Sequence, residues 1–143
     1  MVRETIYTAL FARLQAAYAW NTASRRLLHW GDVAPAQQPA MFLTQVSEQP
    51  QTVSHQPTKW KLNVKVWLYA NAETDAGQTA SSVLNPLLDA IQAAVAPNFS
   101  GLETQTLGGL VEWVRVEGNI ETDEGLLGDQ AVAVIPLTIL VPT

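Results

Sequence analysis

The sequence predicts an α+β domain: a mostly antiparallel, twisted sheet with two helices packed on one face. Three observations carry this. Residues Thr58–Ala70 (TKWKLNVKVWLYA) alternate strictly, with Trp60, Leu62, Val64, Val66 and Leu68 on even positions. Lys59, Lys61, Asn63, Lys65, Trp67 and Tyr69 take the odd ones, so period two marks a strand with one buried and one wet face. Two stretches, Val2–Ala19 and Ser81–Ala96, instead space their apolar residues by three and four, as helices do. Further strand-like runs lie on both sides of the second helix, so the strands are not separated one by one by crossover helices. The whole chain, 1–143, reads as one domain.

In order, Val2–Ala19 places Tyr7, Phe11, Leu14 and Tyr18 on one stripe, widened by Ile6 and Leu10, with no Gly or Pro. Trp20-Asn21-Thr22 ends it. Arg25–Trp30 (RRLLHW) reads as a short strand or edge segment, followed by a loop through Pro35 and Pro39. Ala40–Val46 reads as a strand and Ser47–Pro57 (SEQPQTVSHQP) as a protruding loop, because its prolines fix φ and remove donors. The spine strand Thr58–Ala70 follows; thirteen residues span roughly 40 Å. Asn71–Ala80 is a polar loop. In the second helix Leu84, Leu87, Leu88, Ile91 and Val95 form the stripe, with Ser81, Ser82 or Asn85 as the cap and Pro97 as the stop. Asn98–Gly109 reads as a loop and Leu110–Glu121 as a strand in which Gly118 marks a bulge or a close approach. Glu121–Gln130 reads as an acidic turn. Gln130–Val141 is apolar on both faces, hence central or covered by a partner, with Pro136 marking an edge or bulged position.

Composition narrows the function. Charged residues make up 15%, against about 25% in typical domains, which leaves neutral surface for partners to cover. The net charge is −5, which argues against a dedicated nucleic-acid binder. It divides unevenly: residues 1–72 sum to +4 and residues 73–143 to −9. Unlike halves fit a protein that meets copies of itself head to tail. There is no cysteine for a disulfide or a thiolate metal site. No apolar run reaches the roughly 18 residues of a membrane span. Ala17-Tyr18-Ala19 mimics a cleavage site, but Arg13, Gln15 and Glu4 spoil a signal peptide, so the Asn98-Phe99-Ser100 sequon is not expected to be glycosylated.

No catalytic constellation and no metal site is expected. His29 stands among apolar neighbours, where histidines are packed or hydrogen bonded. His55 adjoins Ser54, but no carboxylate lies near to orient it. Gly101, Gly108 and Gly109 form neither a dinucleotide fingerprint nor a phosphate loop. The acidic turn with Glu121, Asp123, Glu124 and Asp129 does not have the order of a calcium loop. Lys59, Lys61 and Lys65 are all the lysines of the chain and share the wet face of the spine strand. Trp67 and Tyr69 on the same side call for a second layer or a subunit interface. The candidate partner surface is therefore Lys59, Lys61, Lys65, Trp67 and Tyr69, with Gln49, Gln51 and His55 from the loop.

Three segments carry a family likeness: RETIYTALFARLQ at 3–15, SSVLNPLLDAIQAAV at 81–95, and LGGLVEWVRVEGNIETDEGLLGDQAVAVIPLTILV at 107–141. With their element order the chain resembles the tail terminator (tail completion) proteins of long-tailed bacteriophages, the lambda-type minor tail protein U family. The resemblance implies a structural virion protein without a cofactor. It implies a sixfold ring that caps the tail tube, ends its polymerisation and joins the tail to the head neck. Its partners would be other copies of itself, the tail tube protein and a connector or stopper of the neck. Its place would be the head-proximal end of the virion tail, reached from the host cytoplasm during assembly.

DNA would pass through the hole without specific binding, and no membrane is involved. A lumen that DNA slides through should carry neutral or acidic groups, for which Glu121, Asp123, Glu124 and Asp129 are the candidates, while the lysines face outward or pair with acids. The rivals are a head–tail connector or tube subunit, a small-ligand module with a pocket lined by Trp60, Trp67 or Trp113, and an enzyme.

Overall fold

The computed structural model describes residues 1–72, 79–97, 104–127 and 129–142, the side chains of 125–127 excepted. Two helices, α1 (Arg3–Gln15) and α2 (Ala80–Ala94), lie on one face of a six-stranded sheet: β1 (Thr22–Ser24), β2 (Ala40–Gln51), β3 (Lys59–Asn71), β4 (Trp113–Val116), β5 (Glu121–Leu127) and β6 (Gln130–Pro142). This is the expected α+β fold, with a mostly antiparallel sheet and both helices on one side.

The spine strand is β3, paired antiparallel along its whole length, with β2 on one side and β6 on the other. Its even residues Leu62, Val64, Val66 and Leu68 are buried beneath the helices, while the odd ones point to the second face. From α1, Ile6, Tyr7, Leu10 and Leu14 enter the same core; from α2, Leu84, Leu87, Ile91 and Ala94. Burying each of these larger side chains contributes about 1.5–3 kcal/mol before entropy.

The helix ends are held by other elements. Trp20 Nε1 donates at 2.9 Å to the Leu14 carbonyl, which also accepts from the Ala17 backbone, and so helps to close the last turn of α1. Arg13 donates to the Ala94 carbonyl and ties α1 to the C-terminal end of α2, where a cation is favoured. The cap of α2 is Thr79, two residues or more before the expected candidates. Its hydroxyl accepts from the Ser82 backbone while Ser82 Oγ accepts from the Thr79 backbone. Pro86 therefore sits inside the helix rather than at its start.

Strand β6 is central, between β3 and a pair of short strands that share its other side. Strand β4 pairs with Leu137–Leu140, and β5 pairs with Gln130–Val134. Pro136 falls at the seam between them, not at a sheet edge. Its carbonyl accepts from the Glu117 backbone at 3.2 Å, so its missing N–H faces the gap where β4 has ended and β5 has not begun.

Several expected boundaries differ. Arg25–Trp30 is not a strand; the strand is Thr22–Ser24, parallel to Ala40–Phe42, and Trp30–Asp32 is a 3-10 turn. The chain here covers the sheet instead of extending it. The loop Ser47–Pro57 is shorter than expected: Ser47–Gln51 continue β2 opposite Lys59–Asn63, and Val46 absorbs a bulge. Pro50 is tolerated because β2 has no strand partner on its outer side at that point. Leu110–Glu121 is not one strand. Only Trp113–Val116 pair, Leu110 and Ile120 are exposed, and Gly118 at φ +105° turns the chain toward β5. The acidic turn Glu121–Gln130 is mostly strand β5, with Asp129 beyond it. The expected loops 71–80 and 98–109 fall partly outside the described residues, at 73–78 and 98–103.

The second face of the sheet is half covered. Residues 25–39 fold across it through turns at Trp30–Asp32 and Pro35–Gln37. Val33, Ala40, Phe42 and Tyr69 are buried there, with Trp30, Trp67 and Val132 packed against them.

Candidate assembly surface

The uncovered half of the second face is the strongest candidate for a working surface. Strict alternation and the antiparallel register bring its residues together from four strands. One row runs Gln49, Lys61, Leu140, Trp113; the next runs Ser47, Asn63, Thr138, Arg115. Asn63 is the hub of that row. Its amide donates to Ser47 Oγ at 3.1 Å, and its carbonyl oxygen accepts from Thr138 Oγ1 at 3.0 Å. Such a cross-strand polar row, with Thr138 buried and Asn63 half-buried, holds its side chains in place on this face.

All three lysines are here, and acids of the same chain stand beside two of them. Lys59 Nζ lies 2.7 Å from Glu112 Oε1. Arg115 pairs with Glu117, and its guanidinium stacks 3.8 Å from the Trp113 ring centre. The Arg115 hydrogen bond holds the Glu117 carboxyl below its ordinary value, with smaller help from Thr138 and Lys61. Lys65 stands 6.0 Å from the Trp67 ring centre and shares a small crevice with Glu121. Two of the four cations on this face, Lys59 and Arg115, are thus paired with acids of the same chain, which weakens its pull on phosphate.

The expected partner residues divide. Lys59, Lys61, Lys65, Gln49 and Gln51 share this face. Trp67 is half-buried, its Nε1 donating to Thr44 Oγ1 at 3.0 Å. Tyr69 does not reach a partner surface, because its own chain buries it and its hydroxyl donates to the Leu28 carbonyl at 2.8 Å. That burial raises the Tyr69 pKa. Here the outward aromatic signalled a second layer. His55 lies apart, at the tip between β2 and β3, with φ +65°.

The acidic group is dispersed by β5. Glu121 and Asp123 share the second face of the sheet, opposite Val134 and Val132. Glu124 turns to the helix face and accepts from the Ser81 backbone at 3.2 Å, at the N-terminus of α2 where a carboxylate is stabilised. The Asp129 carbonyl accepts from the Ala72 backbone at 2.7 Å. Sequence reasoning put Asn63 on the lysine face without giving it a role, and missed Thr138, Glu112 and Glu117 as members of the surface. Their shared facing depends on β6 lying between β3 and β4, which no local pattern reveals.

Among the described residues, no group of three or more His, Asp or Glu side chains is placed to hold a metal ion, and no helix is long and apolar enough to cross a membrane.

No family model matches the chain, and no curated protein matches it. Among solved structures, it is similar to a chain in the virion of a native gene transfer agent (GTA) particle. The TM-score is 0.52 at 10% identity, over 96% of this chain and 92% of that one. At that identity the likeness shows a shared fold, and it runs through nearly the whole of both chains.

Proposed function

We propose that this chain is a structural protein of a phage-like particle, and within it a tail terminator: a subunit of a sixfold ring that caps the tail tube, stops its growth and joins it to the neck. The observation that carries the reading is the fold shared almost end to end with a chain of a GTA virion. The resemblance of residues 3–15, 81–95 and 107–141 to the terminator family supplies the particular role. The low charge content and the unlike halves fit a subunit whose surface is largely occupied by neighbours. In this reading the protein is not an enzyme. Its partners are its own copies, the tube protein and a connector or stopper of the neck, and it resides at the head-proximal end of the tail.

DNA passes through the ring without being held. The ion-paired state of Lys59 supports this, since a lysine already matched by Glu112 releases fewer counterions on meeting phosphate. Glu121 and Asp123 are the residues proposed to face the hole; Lys65 shares their sheet face and a crevice with Glu121, so in this reading it enters the lumen beside an acid.

The test is a tube-growth assay. Purified chain is added to polymerising tail tube protein and lengths are measured by electron microscopy. A terminator gives short tubes ending in one extra ring. Incorporation along the tube, or filaments of the pure chain, would identify a tube subunit instead.

A further inference from the structure

The end of the sheet that holds β1 and β5 has two bare edges. Among the described residues, β1 pairs only with β2 and β5 only with β6. An unpaired edge is a template for another strand. The pairings across the sheet bring the two edges to one level. Ser24 and Glu121 end one row, Ala23 and Thr122 the next, Thr22 and Asp123 the third.

Strand direction suits a joint between copies. β1 runs parallel to β2, and β3, β6 and β5 then each reverse, so β1 and β5 run opposite ways. A second copy turned about an axis along the strands keeps its strand directions. Its β5 therefore meets β1 antiparallel and at the same level, with the second faces of both sheets turned the same way.

Charge selects the same pairing. β1 runs directly into Arg25 and Arg26. Arg25 is held by Glu4, but Arg26 is exposed and has no acid beside it among the described residues. β5 opens on Glu121 and carries Glu124, both exposed. Joining β1 to β1 leaves Arg26 without an acid, and joining β5 to β5 gathers acids. Only β1 against β5 brings unlike charges together.

We propose that β5 of one copy adds to the outer edge of β1 of the next, antiparallel, with Glu121 opposite Ser24 and its carboxylate reaching Arg26. The joint is head to tail and makes one continuous sheet of neighbouring chains. It deepens the assembly reading given above and rests on it for the choice of a second copy as the partner.

Charge reversal tests the joint in the full chain, at two exposed positions. Self-association is read by light scattering at low salt, up to about 1 mM. Arg26→Glu alone and Glu121→Arg alone should each associate about tenfold more weakly than the unaltered chain. The double variant, and an equimolar mixture of the two single variants, should recover association, because every joint between them again sets unlike charges together. Ala23→Pro separates strand pairing from plain attraction. The Thr22 N–H bonds to the Pro39 carbonyl, so by alternation the Ala23 N–H faces away from β2. This variant should keep a cooperative unfolding curve and lose association.

Unchanged association in both single variants, no recovery in the double variant, or an unaltered chain that stays monomeric overturns the joint. Closed rings indifferent to both reversals would do so while leaving the terminator reading intact. Open filaments that both reversals break and the double variant restores would keep the joint and remove the terminator.

Discussion

Gly118 is held at φ +105°, and a Cβ there would come within 3.2 Å of Pro136 Cγ. The backbone conformation favours glycine, and the space beside Pro136 is tight. Gly118→Ala should cost about 1–3 kcal/mol, measured by denaturant unfolding. His55 is the converse, a non-glycine residue at φ +65° in a solvated turn. His55→Gly should leave stability within about 1 kcal/mol of the unaltered chain, since relief of strain opposes the added chain entropy.

Ion pairing makes a third residue-level prediction. Arg115 lowers the pKa of Glu117, and Arg25 that of Glu4, from the ordinary 4.5. A carboxyl whose pKa falls on folding adds stability above its unfolded value and loses it as pH drops through the folded one. Stability from these pairs should therefore hold above pH 4.5 and decline below it. Arg115→Met should flatten that decline in a pH series of unfolding curves. The effect is modest, because solvent screens both sites.

At the scale of elements, β3 was legible because one face of it meets the helices and the other meets polar neighbours, so burial alternates as the sequence does. Strand β6 was legible as apolar on both faces, and its central position explains why. The β4–β5 region was not. Its residues form two short strands laid end to end along β6, and Gly118 could equally have marked a bulge within one strand. Residues 25–39 were misread for a related reason. RRLLHW has strand-like composition, but the chain crosses the sheet there rather than joining it.

Of the candidate surface, the lysines and Asn63 were visible through parity alone, whereas Gln49, read as part of a loop, and Glu112 and Glu117 join them only through the pairing of strands. The shortened tip also changes the design of a deletion. Removing Gln49–Gln56 would cut paired residues of β2, so the informative variant replaces Val53–Gln56 by Asn-Gly. It should fold with unfolding free energy within about 1 kcal/mol and fail to cap tubes.

For the whole molecule, the decisive quantity is the mass in solution across concentration and salt. A discrete ring is expected, six chains in the terminator reading, weakened by salt to the extent that the unlike halves attract each other. A monomer at every concentration would count against a ring formed before the tube is met.

The order of strands also constrains how the chain is made. The central partner of β3 is β6, and their segments lie at 59–71 and 130–142. Until residue 130 and its successors have been synthesised, one side of β3 is an unpaired edge about thirteen residues long. The sheet is therefore closed late and over a long sequence separation, which slows folding and leaves the growing chain open to wrong pairing. A cell that makes many copies side by side must keep that edge apart from its neighbours until each chain has received its own last strand.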